Sequence, residues 1–170
     1  YMKGESCEAL RLLERLEDNS SFLKPFVLDG RINLFLGNYD AAENKLEYVL
    51  EKNPLDFEAV RWLSWVYLRK DETEKCIRLL KSALKKYPEE PRLLLLYGNA
   101  EKKGGNHTEA AEAYRRAFLF EEELAMAHFE YALLCSGFAL EEKYRYELER
   151  AALLAGENHE LSEAIRKLYE

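Results

Sequence analysis

Hydrophobic residues recur along this chain at helical spacing, in short blocks that polar turns separate. The clearest pair of blocks lies between Pro54 and Pro88, which are 34 residues apart. Each block carries its apolar positions on one helical face: Val60, Leu63, Val66 and Tyr67 in the first, and Cys76, Leu79, Leu80, Ala83 and Leu84 in the second. The pattern predicts two amphipathic helices packed face to face. Because such a pair leaves its outer faces uncovered, we expect similar units stacked beside it.

The segments on either side repeat this pattern and set the predicted organisation. Glycine–asparagine turns at 37–38 and 104–106 separate further pairs of helices, and no low-complexity linker interrupts the chain. We therefore predict one all-α domain over residues 1–170. Its predicted parts are an N-terminal helix at 5–17, repeats at about 23–56, 57–90 and 91–124, a degenerate repeat at 125–156, and a C-terminal capping helix at 158–169.

Small residues recur at fixed places in these repeats. They are Gly30, Ser64, Gly98 and Ala132 in the first helices, and Ala42, Cys76, Ala110, Ala83, Ala117 and Ala151 in the second helices. Together with the closing prolines Pro54 and Pro88, this pattern resembles the tetratricopeptide repeat (TPR) family. The resemblance covers about 23–156. It implies a right-handed superhelical solenoid of helix–turn–helix repeats with flanking capping helices.

Some positions depart from the family pattern. Asp29 and Asn33 stand where the first helix of a repeat is usually apolar, and Tyr144 stands in a small-residue position. Glu122 and Gly156 replace the closing proline. We therefore expect three regular repeats and one degenerate repeat.

The resemblance also implies a binding surface, because the first helices of TPR units typically line a concave face. Seven of the predicted lining positions are basic and two are acidic: Lys24, Arg31, Arg61, Arg69, Arg92, Lys102 and Lys103 against Glu58 and Glu130. Two tryptophans, three residues apart, fall on one of these helices and are therefore neighbours on its surface. The predicted partner-binding residues are Arg31, Arg61, Trp62, Trp65, Arg69, Arg92, Asn99, Lys102 and Phe129.

This combination favours a protein partner with acidic character. Arginine holds carboxylates in a bidentate geometry, and an indole buries a large apolar area. The leading hypothesis is a non-catalytic scaffold that binds an acidic, partly apolar protein segment in its concave groove. Two alternatives stay open: Trp62 and Trp65 pack against the next unit while the arginines are solvated, or the chain is a structural module that self-assembles through its end helices and convex surface.

Some TPR domains grip the acidic C-terminal tails of chaperones with a carboxylate clamp. The clamp needs lysine and asparagine at fixed places in successive first helices. The matching positions of this chain hold Val27, Arg31, Trp62, Arg92 and Leu96, and only Arg92 fits. We do not expect chaperone tails to bind by that route.

Composition excludes several other classes of partner. The net charge of −7 and the pI near 5.2 argue against nucleic acid, which binds basic surfaces. No apolar run approaches the ~20 residues of a membrane span, so we expect no membrane insertion. The three cysteines are widely spaced and lack a CxxC motif, which is typical of a reducing compartment. With no signal-peptide pattern at the start of the sequence, the cytoplasm is favoured over export.

The sequence carries no motif of an enzyme. No nucleophile motif such as GxSxG is present, and none of the three histidines has a cysteine or acid at metal-ligand spacing. His128 is interpreted as a hydrogen-bonded core or rim histidine. We therefore expect no catalytic residue, no cofactor and no metal.

Overall fold

The computed structural model describes residues 23–120, 125–137, 140–156 and 158–169. This part of the chain contains nine α-helices and no β-strand, which confirms the predicted all-α class. The helices are α1 (Lys24–Leu36), α2 (Tyr39–Lys52), α3 (Phe57–Arg69), α4 (Thr73–Lys86), α5 (Pro91–Lys103), α6 (His107–Phe120), α7 (Ala125–Gly137), α8 (Glu141–Ala155) and α9 (His159–Tyr169). The predicted helix at 5–17 lies outside the described residues.

Local sequence signals explain where the first helices begin and end. Pro25 lies in the first turn of α1, where its missing N–H is not needed. Gly37 ends α1 in the left-handed conformation, with φ of 82°, and its N–H donates to the Leu34 carbonyl at 3.1 Å. Asp56 precedes α3, and its carboxylate accepts a hydrogen bond from the Ala59 N–H at 3.0 Å.

The chain divides into two compact units between Lys86 and Tyr87. In unit 1, which holds α1–α4, α3 packs against each of the other three helices. A Cβ atom on Gly30 would lie 2.6 Å from Cγ of Leu46, so only glycine allows α1 and α2 to approach this closely. Ser64 and Cys76 are both fully buried where α3 meets α4. The small residues predicted from the repeat pattern therefore lie at helix contacts.

A buried group of polar side chains explains why Asp29 and Asn33 can stand at positions of the first repeat that are usually apolar. Asn33 and Asp29 are both buried on α1, and the Asn33 amide donates to the Asp29 carboxylate at 2.6 Å. Lys45 on α2 places its ammonium 2.9 Å from the other oxygen of the same carboxylate. Because these groups satisfy one another, α1 keeps its helical register without apolar residues at the two positions.

Unit 2 holds α5–α9, and each of its helices packs on the next. One cluster of buried residues joins α7, α8 and α9: Ala132, Leu148, Ala151, Ala155, Leu161 and Ile165. Tyr144 is half-buried and packs against this cluster, so the degenerate repeat places its large side chain beside the core. The capping role of α9 and the single-domain organisation stay predictions.

His128 lies in the core of unit 2. Its Nδ1 atom is 2.7 Å from a carboxylate oxygen of Glu147 on α8, and both side chains are buried. The imidazole stacks on the Phe118 ring, with centroids 4.6 Å apart and planes 13° from parallel. This confirms the interpretation of His128 as a hydrogen-bonded core histidine.

Candidate functional site

Trp62 is the centre of a polar and aromatic surface in unit 1. Its indole projects from α3, and the Phe35 ring of α1 meets it edge-on, with ring centroids 5.9 Å apart. Two guanidinium groups lie over the indole: Cζ of Arg61 is 4.5 Å from the ring centroid and Cζ of Arg31 is 5.6 Å from it. Such contacts between a cation and a ring fix the orientation of both groups.

Glu58 ties two of these groups together. One of its carboxylate oxygens accepts a hydrogen bond from Arg61 at 2.6 Å and another from the Trp62 indole N–H at 3.0 Å. All three residues belong to α3, at spacings of three and four residues that place them on one face. The indole is therefore held in place by its own helix, and part of the positive charge of Arg61 is neutralised.

Two clefts open beside Trp62. The first, called the Lys24 cleft, has a volume of about 540 Å³ and is lined by Leu23, Lys24, Val27, Leu28, Arg31, Asp56, Glu58 and Trp62. The second, called the Arg69 cleft, has a volume of about 560 Å³ and is lined by Leu34, Phe35, Leu36, Gly37, Tyr39, Trp62, Trp65 and Arg69. We call six residues the Trp62 surface: Arg31, Phe35, Arg61, Trp62, Trp65 and Arg69. All but Arg61 line one or both clefts, and Arg61 lies over the Trp62 ring.

Five residues of the Trp62 surface were predicted from the sequence, and unit 1 brings them together. Phe35 was not predicted. It lies on a helix in which most other residues are apolar, so periodicity gave no reason to separate it from the core. It is nevertheless 72% exposed. Its contact with Trp62 and its place on the wall of the Arg69 cleft add it to the Trp62 surface.

The other four predicted residues belong to unit 2, and most of them make contacts within it. Arg92 is exposed at the start of α5. Asn99 accepts a hydrogen bond from the Tyr114 hydroxyl at 2.8 Å. Lys102 forms an ion pair with Glu130 on α7. Phe129 is half-buried and packs against the cluster formed by α7, α8 and α9.

Three further observations concern metal-type clusters, membrane spans and thiol chemistry in the described part of the chain. It contains no group of three or more His, Cys, Asp or Glu side chains that would hold a metal ion. The same residues include no helix with the length and apolar character of a membrane span. Burial raises the pKa of the Cys135 thiol, which disfavours its reactive thiolate form.

Comparison with known families identifies the repeat. Two sequence profiles of the tetratricopeptide repeat match the chain, over residues 36–99 and 77–122, and together they span more than half of it. The chain belongs to the tetratricopeptide repeat family. A comparison with curated proteins gave no match.

Solved structures agree with the TPR assignment. TTC0263, a thermophilic TPR protein in Thermus thermophilus, superposes with a TM-score of 0.83 at 20% identity, covering 98% of this chain and 92% of that one. A crystal structure of MamA gives 0.77 at 18% identity, covering 94% of each chain. MamA 41-end from Desulfovibrio magneticus RS-1 gives 0.72 at 20% identity, covering 96% of this chain and 89% of that one. At these identities the likeness shows the TPR fold, which is typical of scaffolds for protein–protein interaction.

Proposed function

We propose that this TPR protein is a non-catalytic scaffold that binds an acidic, partly apolar segment of a partner protein at the Trp62 surface. The observation that carries the proposal is the convergence of Arg31, Trp62, Trp65 and Arg69 around two open clefts in unit 1, with Arg61 over the Trp62 ring. The concave position of this surface rests on the family resemblance, because first helices of TPR units line the groove.

The chemistry of the surface supports a peptide ligand. Tryptophan and arginine are enriched among the residues that carry most of the binding energy at protein interfaces. Trp62 is already oriented by Glu58 and Arg61, so little side-chain freedom is lost when a ligand packs on it. In unit 2, Arg92, Asn99, Lys102 and Phe129 stay candidate contacts, and the last three also have partners within the unit.

The test is a pull-down from the native host with wild-type protein and the double variant Trp62→Ala, Trp65→Ala. Circular dichroism first establishes that both proteins are folded. The matched control is Leu119→Ala, which removes a large apolar side chain that is 70% exposed on α6. We expect a partner that the wild type and the control retain and the double variant loses.

The other results have distinct meanings. Equal recovery by all three proteins would contradict a binding site at the Trp62 surface. Recovery of only the protein itself would favour self-association, the second candidate function.

Self-association has one observation in its favour. Tyr146 and Leu153 lie seven residues apart on α8, so they share a face, and they are 60% and 77% exposed. Exposed apolar faces of this kind mark interaction surfaces. Sedimentation of the wild type over a wide concentration range tests this candidate. A species heavier than a monomer that Tyr146→Ala, Leu153→Ala disrupts would support it, and a monomer at all concentrations would exclude it.

A further inference from the structure

We infer that the Arg69 cleft selects a two-residue feature of the partner: an apolar or aromatic side chain that fills the cleft, next to an Asp or Glu whose carboxylate binds Arg69. This inference rests on the proposed function, because it assigns the specificity of the same surface. It also makes a stronger claim, since it names one arginine as the residue that determines the acidic preference.

The three arginines of the Trp62 surface differ in what already holds them. Arg61 is ion-paired with Glu58 and lies over Trp62. Arg31 also lies over the Trp62 ring. Arg69 forms no ion pair and no ring contact with any residue that the structure describes, and it is exposed. Among the arginines of this surface, Arg69 is therefore the one that neither an ion pair nor a ring contact with a described residue holds in place.

The remainder of the Arg69 cleft is apolar or aromatic. Its wall is formed by Leu34, Phe35, Trp62 and Trp65, and Arg69 alone among its described lining residues is charged. A volume of about 560 Å³ lies within the range of pockets that bind small ligands. A single positive group beside an apolar wall is complementary to a carboxylate beside an apolar side chain.

The Lys24 cleft lacks this bias. Two basic and two acidic side chains line it: Lys24, Arg31, Asp56 and Glu58. The acidic pair has structural partners, since Asp56 accepts from the Ala59 N–H and Glu58 accepts from Trp62. With both signs of charge around its rim, this cleft has no reason to prefer an acidic ligand.

A side-chain carboxylate fits the Arg69 cleft better than the carboxyl terminus of a chain. Arg69 is the last residue of α3, and the end of a helix presents carbonyl oxygens, which are acceptors. Capture of a terminal carboxylate needs several converging donors, either backbone N–H groups or a set of polar side chains, whereas Arg69 is the one charged side chain among the described lining residues of this cleft. The inferred ligand is therefore an acidic residue within a segment.

The experiment is a selection from a library of random peptides that are fused to a carrier at both ends, so that no free terminus contributes. The full chain is the target, as wild type, Arg69→Glu, Arg69→Gln and Trp62→Ala. The matched control is Arg78→Glu, which reverses the charge of an arginine that is exposed on α4. Arg69→Gln is included because a glutamate at the C-terminal end of a helix is also unfavourable to the helix itself. Circular dichroism confirms that each variant is folded.

We expect the wild type and Arg78→Glu to enrich peptides with Asp or Glu beside an apolar or aromatic residue. Arg69→Glu should enrich Lys or Arg at that acidic position, and Arg69→Gln should show no charge preference there. A peptide selected on the wild type should bind Arg69→Glu at least about tenfold more weakly, as expected for loss of a charged hydrogen bond.

Two outcomes would contradict the inference, and they can be told apart. If Arg69→Glu still enriches the same acidic peptides while Trp62→Ala enriches none, the scaffold proposal stands and the role of Arg69 is wrong. If the wild type enriches nothing beyond Trp62→Ala, the proposed function of the Trp62 surface is wrong as well.

Discussion

Gly98 and Tyr114 lie against each other where α5 meets α6. Tyr114 is fully buried, and its hydroxyl donates to Asn99 on α5. A Cβ atom on Gly98 would lie 2.6 Å from Cδ1 of the Tyr114 ring, closer than real side chains approach. The ring cannot move away without losing its hydrogen bond and its place in the core. Gly98 is therefore required for this contact.

We predict that Gly98→Ala destabilises the protein by about 1–3 kcal/mol, the usual cost of overpacking a core. Chemical denaturation measures the difference. The control is Gly137→Ala at the end of α7, where an added Cβ atom would meet nothing within 4 Å. Equal stability of Gly98→Ala and the wild type would contradict the packing described for α5 and α6.

At the level of single residues, the sequence predicts what kind of contact a side chain makes better than it predicts which residue that side chain contacts. The tryptophan–arginine cluster could be foreseen because Arg61, Trp62 and Trp65 share one helix. The pairing of Lys102 with Glu130 could not, because it joins α5 to α7 and depends on how those helices meet. The exposure of Phe35 could not be predicted either. Periodicity shows which face of a helix a residue occupies, but it does not show how completely neighbouring helices cover that face.

Lys70 links helices of unit 1 through a small charge network. Its ammonium lies 2.7 Å from a carboxylate oxygen of Asp40 and also pairs with Glu43, both on α2. The hydrogen bond from Lys70 lowers the pKa of the Asp40 carboxyl group. In the same network the hydrogen bond from Lys75 lowers the pKa of Glu72.

These shifts give the network a pH dependence of defined sign. A carboxyl group whose pKa is lower in the folded state stabilises that state above its unfolded pKa, near 4. This stabilisation of the folded state is lost as the pH falls through the lower pKa that the carboxyl group has in the folded state. We therefore predict that Lys70→Met lowers the melting temperature at pH 7 by about 1–3 °C, as expected when a partly exposed group of ion pairs loses its shared cation, and that the difference from the wild type vanishes in acid.

Thermal unfolding from pH 7 down to about pH 2 measures this difference, since that range includes the carboxyl titrations. Lys85→Met is the matched control, because Lys85 is an exposed lysine on α4. A difference between Lys70→Met and the wild type that stays constant over the whole range would show that the network is held by packing and not by charge.

The last described helix, α9, is attached through few side chains. Leu161 and Ile165 are its buried residues in the cluster with α8, and Leu168 on the same helix is 41% exposed. We predict that Ile165→Ala destabilises the protein by about 2–5 kcal/mol, because it leaves a cavity at this contact. Leu168→Ala should cost much less, since its side chain already contacts water. Urea denaturation of both variants tests this, and equal effects would contradict the placement of α9.

At the level of elements, most of the fold follows from the sequence. The predicted turns and small residues mark the ends and contacts of α1–α8. They could be predicted because the helical pattern recurs every 34 residues, so each repeat supports the interpretation of the others. The polar pair Asp29 and Asn33 shows what the repeat pattern does not predict. The pattern assigns apolar residues to these positions, whereas in the structure each is satisfied by the other and by Lys45, a partner that periodicity does not reveal.

At the scale of the whole molecule, charge sets the conditions under which binding should be observed. The chain carries a net charge of −7, so an acidic ligand is repelled by the protein as a whole and attracted only near its basic side chains. Salt screens both the overall repulsion and the local attraction at Arg69 and the neighbouring arginines. Which effect dominates depends on how close the ligand's carboxylates come to those groups.

If the ligand binds at the Trp62 surface as proposed, the local attraction dominates and salt weakens binding. We predict that the dissociation constant of a selected acidic peptide rises about twofold to fivefold between low and high salt, which corresponds to screening of one exposed ion pair at Arg69. Fluorescence anisotropy at about 0.05 and 0.5 M NaCl, which differ severalfold in Debye length, measures this. Arg69→Gln should show a smaller salt effect, because it removes this pair. A dissociation constant that is unchanged or falls with salt would mean that long-range repulsion outweighs the arginines, and the peptide would then be held by apolar contacts with Trp62 and Trp65 alone.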